Sequence, residues 1–92
     1  VRNKYSEFVK AVVDEYGEDS QYRMVQEECA ELIVAINHYL RCRKGAEAVV
    51  EEIADVQIML SQLVEMLQCH DELEVTIERK MTRQMEKLGV GK

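Results

Sequence analysis

The sequence predicts an all-α fold, and three observations carry that expectation. The 92 residues include no proline, no tryptophan and one phenylalanine, while Ala, Glu, Leu, Val and Met are abundant. Most of these lose little on entering a helix, and none breaks one. Apolar positions recur at three- and four-residue intervals, the period of one helix face. The glycines stand between the periodic runs, at Gly17, Gly45, Gly89 and Gly91, where helices stop.

A first helix is expected from about Asn3 to Tyr16, with Tyr5, Phe8, Val9, Val12 and Val13 as its inner stripe and Gly17 as its stop. Asp19 or Ser20 caps a second helix that extends to around Arg41. Gly45 breaks the chain, and a third helix covers about Ala46 to Cys69. His70 and Asp71 interrupt the pattern, and Asp71 followed by Glu74 resembles a capping box for a fourth helix ending near Leu88. No linker or repeat divides residues 1–92, so they form a single domain.

Short connections favour antiparallel neighbours, so the second and third helices should form a hairpin turning near Arg43 to Gly45. The third helix is apolar around most of its circumference, including Val49, Val50, Ile53, Val56, Ile58, Met59, Leu60 and Leu63. Such a helix is normally buried on all sides, and a chain of this length has only a marginal core of its own. The expected architecture is therefore a four-helix antiparallel bundle completed by oligomerisation, as a homodimer or homotetramer.

A formal charge of −6 argues against nucleic-acid polymers and anionic membranes, both of which select basic surfaces. No apolar run approaches the roughly 20 residues of a membrane span, and no signal peptide is visible. Cys29, Cys42 and Cys69 are odd in number and lack CxxC spacing, which suits reduced thiols in the cytoplasm. Zinc shared by His38, Cys42, Cys69 and His70 fails on distance, because Cys42 and Cys69 lie at opposite ends of the third helix, roughly 35 Å apart.

Two acidic clusters carry the chemistry. Glu27-Glu28-Cys29-Ala30-Glu31 and Glu51-Glu52-Ile53-Ala54-Asp55 each sit inside an apolar, helix-periodic run. Residues three apart share a helix face, so Glu28 pairs with Glu31 and Glu52 with Asp55. Glu is a good helix former and EExxE alone marks many solvated faces. Asp55 is harder to explain that way, because it interrupts an apolar run and Asp is a mediocre helix residue. Measured from the turn, the first pair lies about 20 Å along its helix and the second about 15 Å. Helix tilt and side-chain reach can absorb that difference. Four converging carboxylates repel one another unless a hard divalent cation lies between them, and all-oxygen ligation suits Mg²⁺, with Mn²⁺ as a substitute. A di-iron centre needs Glu-x-x-His, and neither His38 nor His70 follows a Glu at that spacing.

Glu27-Glu28-x-x-Glu31 followed by Glu52-x-x-Asp55 resembles the signature of MazG-like nucleoside triphosphate pyrophosphohydrolases. These belong to the all-α NTP pyrophosphatase superfamily, with dimeric dUTPases and phosphoribosyl-ATP pyrophosphatase as relatives. The run after Asp55 and the basic Lys80-Met81-Thr82-Arg83 resemble the short single-domain members, bacterial or phage-encoded. The resemblance implies that Glu28, Glu31, Glu52 and Asp55 bind Mg²⁺ in a bacterial cytosol. It also implies cleavage of a (d)NTP between the α and β phosphates, giving a (d)NMP and pyrophosphate. Glu27 has two open roles: general base or water-orienting group, or surface and helix-dipole residue.

Lys80 and Arg83, three apart on the fourth helix, could hold the outer phosphates, or pair with Glu78 and Glu86 as ordinary surface charge. His38, two turns past Glu31, could meet a base or be structural. Two rivals remain at this level: a phosphoribosyl-ATP pyrophosphatase-like enzyme, and a non-catalytic helical assembly module.

Overall fold

A computed structural model describes residues 6–90. Among them, four helices follow in order: α1 (Ser6–Tyr16), α2 (Glu18–Leu40), α3 (Ala46–Leu67) and α4 (His70–Lys87). The expected start of the first helix at Asn3, and Tyr5 in its stripe, lie outside the described residues. The helices match the periodicity, but their ends are made differently from what the sequence suggests.

The first junction is a glycine one. Gly17 adopts φ 87° and is itself the N-cap of α2. Its N–H donates to Val13 O at 2.8 Å and its carbonyl accepts from Gln21 N–H at 3.2 Å, so it closes one helix and opens the next. Asp19 and Ser20 are consequently inside α2, and the expected side-chain cap is not made. At the start of α4 the N-cap is Cys69, again with no side-chain cap hydrogen bond, so Asp71 falls within the first turn.

Three C-termini end in the same motif. Arg43 N–H bonds to His38 O and Cys42 N–H to Tyr39 O. Cys69 and Gln68 repeat the pattern on Val64 and Glu65, and Val90 and Gly89 on Met85 and Glu86. These are Schellman closures, which require a left-handed residue. Only the last uses glycine (φ 72°); the others hold Cys42 at φ 57° and Gln68 at φ 52°. A left-handed non-glycine residue costs about 1–2 kcal/mol.

The packed unit is α1, α2 and α3. Its core is Val9 from α1, Val25 and Ala35 from α2, and Met59 and Val64 from α3. Of the expected α1 stripe, Val9 is buried and Val12 and Val13 half-buried, whereas Phe8 is 64% exposed. Two glutamines join this core, Gln21 at 6% and Gln62 at 5% exposure. α4 has no buried residue and packs against no other helix along its length.

The single chain is therefore open. Its radius of gyration is 16.1 Å, against about 12 Å for a compact domain of this length. Its accessible surface is 7341 Å², where a closed monomer of its mass exposes about 5,500 Å². Much of the excess is apolar. Ile33, Ile36 and Leu40 lie exposed along α2, Val50, Ile53 and Ile58 along α3, and Ile77, Met81 and Met85 along α4. The all-α class and the α2–α3 hairpin are as expected, while within one chain the bundle has three packed helices.

Candidate active site

The site lies across the α2–α3 hairpin. The five residues Arg41 to Gly45 join the helices, and the resulting register sets Glu31 across from Glu52 and Glu28 beside Asp55. The turn is asymmetric: Glu31 lies nine residues before the end of α2, and Glu52 six after the start of α3. The carboxylates nevertheless meet across that offset of nearly one turn. Toward the turn, the same register brings Ala35 and Ala48 to one lining.

Glu28, Glu31 and Glu52 each bring a carboxylate oxygen within 4.8 Å of the others. Glu28 and Glu52 are half-buried and Glu31 is exposed. Asp55 is exposed at the margin of this trio, and its charge acts on both Glu28 and Glu52. Glu27, one residue from Glu28 and about 100° around the helix, is also exposed.

The site's electrostatics are unfavourable as they stand. The Glu28 carboxyl is pushed above its ordinary value of 4.5, first by burial, then by the charges of Glu31, Asp55 and Glu52, and by a hydrogen bond with the Asp55 side chain. Glu52 is raised in the same way, by burial and then by Glu31, Asp55 and Glu51. Glu28 Oε2 and Glu52 Oε2 are both shielded from solvent without a hydrogen-bond partner. Buried oxygens normally find a donor, and among the described residues none reaches these two. The donor set is all carboxylate, which matches a hard divalent cation such as Mg²⁺ or Mn²⁺. The trio could hold such a metal.

Toward the turn the carboxylates open into a groove of about 240 Å³, lined by Glu31, Val34, Ala35, His38, Lys44, Ala48 and Glu52. His38 thus stands beside the acidic cluster, as its two-turn spacing from Glu31 suggests. Lys80 and Arg83 do not line this groove. Both are exposed on α4, where Arg83 borders a separate depression with Val75, Glu78, Arg79, Thr82 and Glu86. Lys44 is the lining residue that sequence reasoning missed: in the sequence it is one of several polar turn residues. Ala35 and Ala48 were equally invisible, because their significance is that they face each other.

A helical hairpin that brings three carboxylates together on one face is an arrangement that could hold a divalent metal. Residues 7–90 match the family model of the MazG nucleotide pyrophosphohydrolase domain. The chain belongs to that family, which implies a nucleotide pyrophosphohydrolase acting on a nucleotide substrate. Searches of curated proteins and of solved structures returned no match. No helix among the described residues is long and apolar enough to cross a membrane.

Proposed function

We propose that the protein is a Mg²⁺-dependent nucleoside triphosphate pyrophosphohydrolase. It splits (d)NTPs between the α and β phosphates, yielding a (d)NMP and pyrophosphate. The observation that carries this reading is the convergence of Glu28, Glu31 and Glu52 oxygens within 4.8 Å in a chain of this family. Asp55 completes the ligand set in the proposal, because its charge already acts on Glu28 and Glu52.

A divalent cation held by these carboxylates would supply neutralising charge to the phosphates and would lower the pKa of a bound water. The chain's own contribution is positional. The hairpin fixes four acids on two rigid helices, and Glu27, outside the trio but adjacent to it, is assigned the role of orienting the attacking water or taking its proton. His38 is assigned to the substrate, from the wall of the groove. Lys80 and Arg83 are assigned to the outer phosphates; neither lines the groove of its own chain, so in this proposal they serve the site of a second copy.

Assembly belongs to the same proposal. The surface in excess of a closed monomer is about 1,800 Å² per chain, the scale of an obligate interface. The exposed apolar positions on α2, α3 and α4 supply its chemistry. We therefore assign a homodimer or homotetramer, working in the cytosol where its nucleotide substrates are.

The test is pyrophosphate release from each canonical (d)NTP and from phosphoribosyl-ATP, with and without Mg²⁺. Mg²⁺-dependent release from one or more (d)NTPs is expected. Turnover confined to phosphoribosyl-ATP would transfer the assignment to that class. No release from any substrate would point to a non-catalytic helical module.

A further inference from the structure

We propose that the groove between the carboxylates and the α2–α3 turn is an anion subsite, in which Lys44 holds the distal phosphates and the departing pyrophosphate. This rests on the pyrophosphohydrolase reading above for the substrate, but the subsite itself is argued from geometry.

The groove is built by a pair of small residues. Ala35 and Ala48 face each other across the hairpin one turn from Glu31 and Glu52, and both line the space. Longer side chains at either position would fill it. One wall is acidic, Glu31 and Glu52; the opposite end carries Lys44, the one Lys or Arg among its lining residues. Lys44 makes no ion pair within 4.0 Å among the described residues, so its ammonium is uncommitted. It also borders an open depression on the far side of the turn, beside Tyr39, Cys42 and Arg43.

Size decides which part of the substrate belongs here. At about 240 Å³ the groove is smaller than the roughly 300 Å³ at which pockets for whole small ligands begin. It can take one end of a nucleotide. Charge then chooses the end. A polyphosphate spanning from a cation on Glu31 and Glu52 to the Lys44 ammonium satisfies both walls, and an ammonium is a strong partner for phosphate oxygen. A base in the same space would leave Lys44 without an anion. The nucleoside accordingly extends from the opposite side of the carboxylates. His38, between the two walls, becomes a second donor to the phosphates. Because the groove lies within one hairpin, this grip does not depend on assembly, unlike the one assigned to Lys80 and Arg83.

The deciding experiment is calorimetric titration of inorganic pyrophosphate, in saturating Mg²⁺, into wild type, Lys44→Gln and Lys44→Arg. A parallel titration uses the four canonical deoxynucleoside monophosphates. Lys44→Gln should weaken pyrophosphate about tenfold or more, as loss of a charge-assisted hydrogen bond does, with monophosphate binding unchanged. Lys44→Arg should stay close to wild type. Equal pyrophosphate affinity in wild type and Lys44→Gln, including no binding by either, overturns the subsite. So does a loss confined to the monophosphates, which would place the nucleoside in the groove. The titration needs no turnover. An inactive wild type would sink the enzymatic reading, while the Lys44 contrast would still decide the groove.

Discussion

Helix α3 carries two half-buried glutamates, Glu52 and Glu65, about 20 Å apart along its axis, and the chain treats them in opposite ways. Glu65 is answered by the protein. Its Oε2 lies 3.2 Å from His70 Nε2, and Gln68 Nε2 donates to Oε1 at 3.4 Å. His70 chiefly, with help from Gln68 and the charge of Lys10 on α1, holds its carboxyl below the ordinary 4.5. Glu52 Oε2 has no hydrogen-bond partner among the described residues, and burial and its acidic neighbours hold the carboxyl above that value. The same residue type on the same helix is thus a structural clasp at one end and an unmet demand near the other. A cost borne at a site without internal compensation is the expected mark of a group reserved for a ligand.

The largest effect that could break this comparison is on turnover. Glu52→Gln or Asp55→Asn should lower kcat by at least about 100-fold, the low end for removing a charged group from a reaction centre. Circular dichroism should show the helices intact. Activity near wild type in either variant would remove that residue from the ligand set.

Stability against pH sharpens the contrast, because the two sites have opposite signs. Glu28 and Glu52 have raised folded values, so the folded chain binds more protons there and gains stability as pH falls toward 4.5. Glu65 has a lowered folded value, so its contribution is present above 4.5 and lost as pH falls below it. Without metal, the melting temperature should therefore rise as the pH is lowered from neutral toward 4.5 and fall again below it. Glu52→Gln should flatten the upper limb relative to wild type. An unchanged slope in that variant would show that Glu52 is not strained.

At the other end of α3, His70→Ala leaves Glu65 half-buried without its main partner. The expected loss is about 1–2 kcal/mol, read as a melting temperature lower by roughly 4–16 °C. A shift within error would mean the clasp is decorative. Smaller still, Cys42→Gly should raise stability by about 1 kcal/mol, since it relieves a left-handed residue. Chemical denaturation can resolve it, and a loss would show that the Cys42 side chain has a role of its own.

The sequence made the helical class, the hairpin and the acidic faces legible, because all three are periodic. Glu28, Glu31 and Glu52 meet because three-residue spacing puts like residues on one face, and the hairpin brings the faces together. Helix ends were less legible. Asp19, Ser20 and Asp71 have the right side chains for caps, yet Gly17 and Cys69 occupy those positions, since junction geometry overrode side-chain preference. Cys42 and Gln68 take the left-handed role usually given to glycine, so no residue type announced them. Phe8 reads as core and lies at the surface, because a short α1 packs only its Val9 side. Lys44 and the Ala35–Ala48 pair were illegible for a different reason: their meaning depends on the register across the turn.

The most direct measurement is the thermal unfolding of wild type, Glu28→Gln and Glu52→Gln at neutral pH, with and without excess Mg²⁺. If the trio is a cation site, Mg²⁺ at about 100 times its dissociation constant should stabilise wild type by about 2.7 kcal/mol. Both variants should melt at or above metal-free wild type and respond far less to Mg²⁺. Identical melting of wild type with and without Mg²⁺, or an equal shift in all three proteins, would contradict the account.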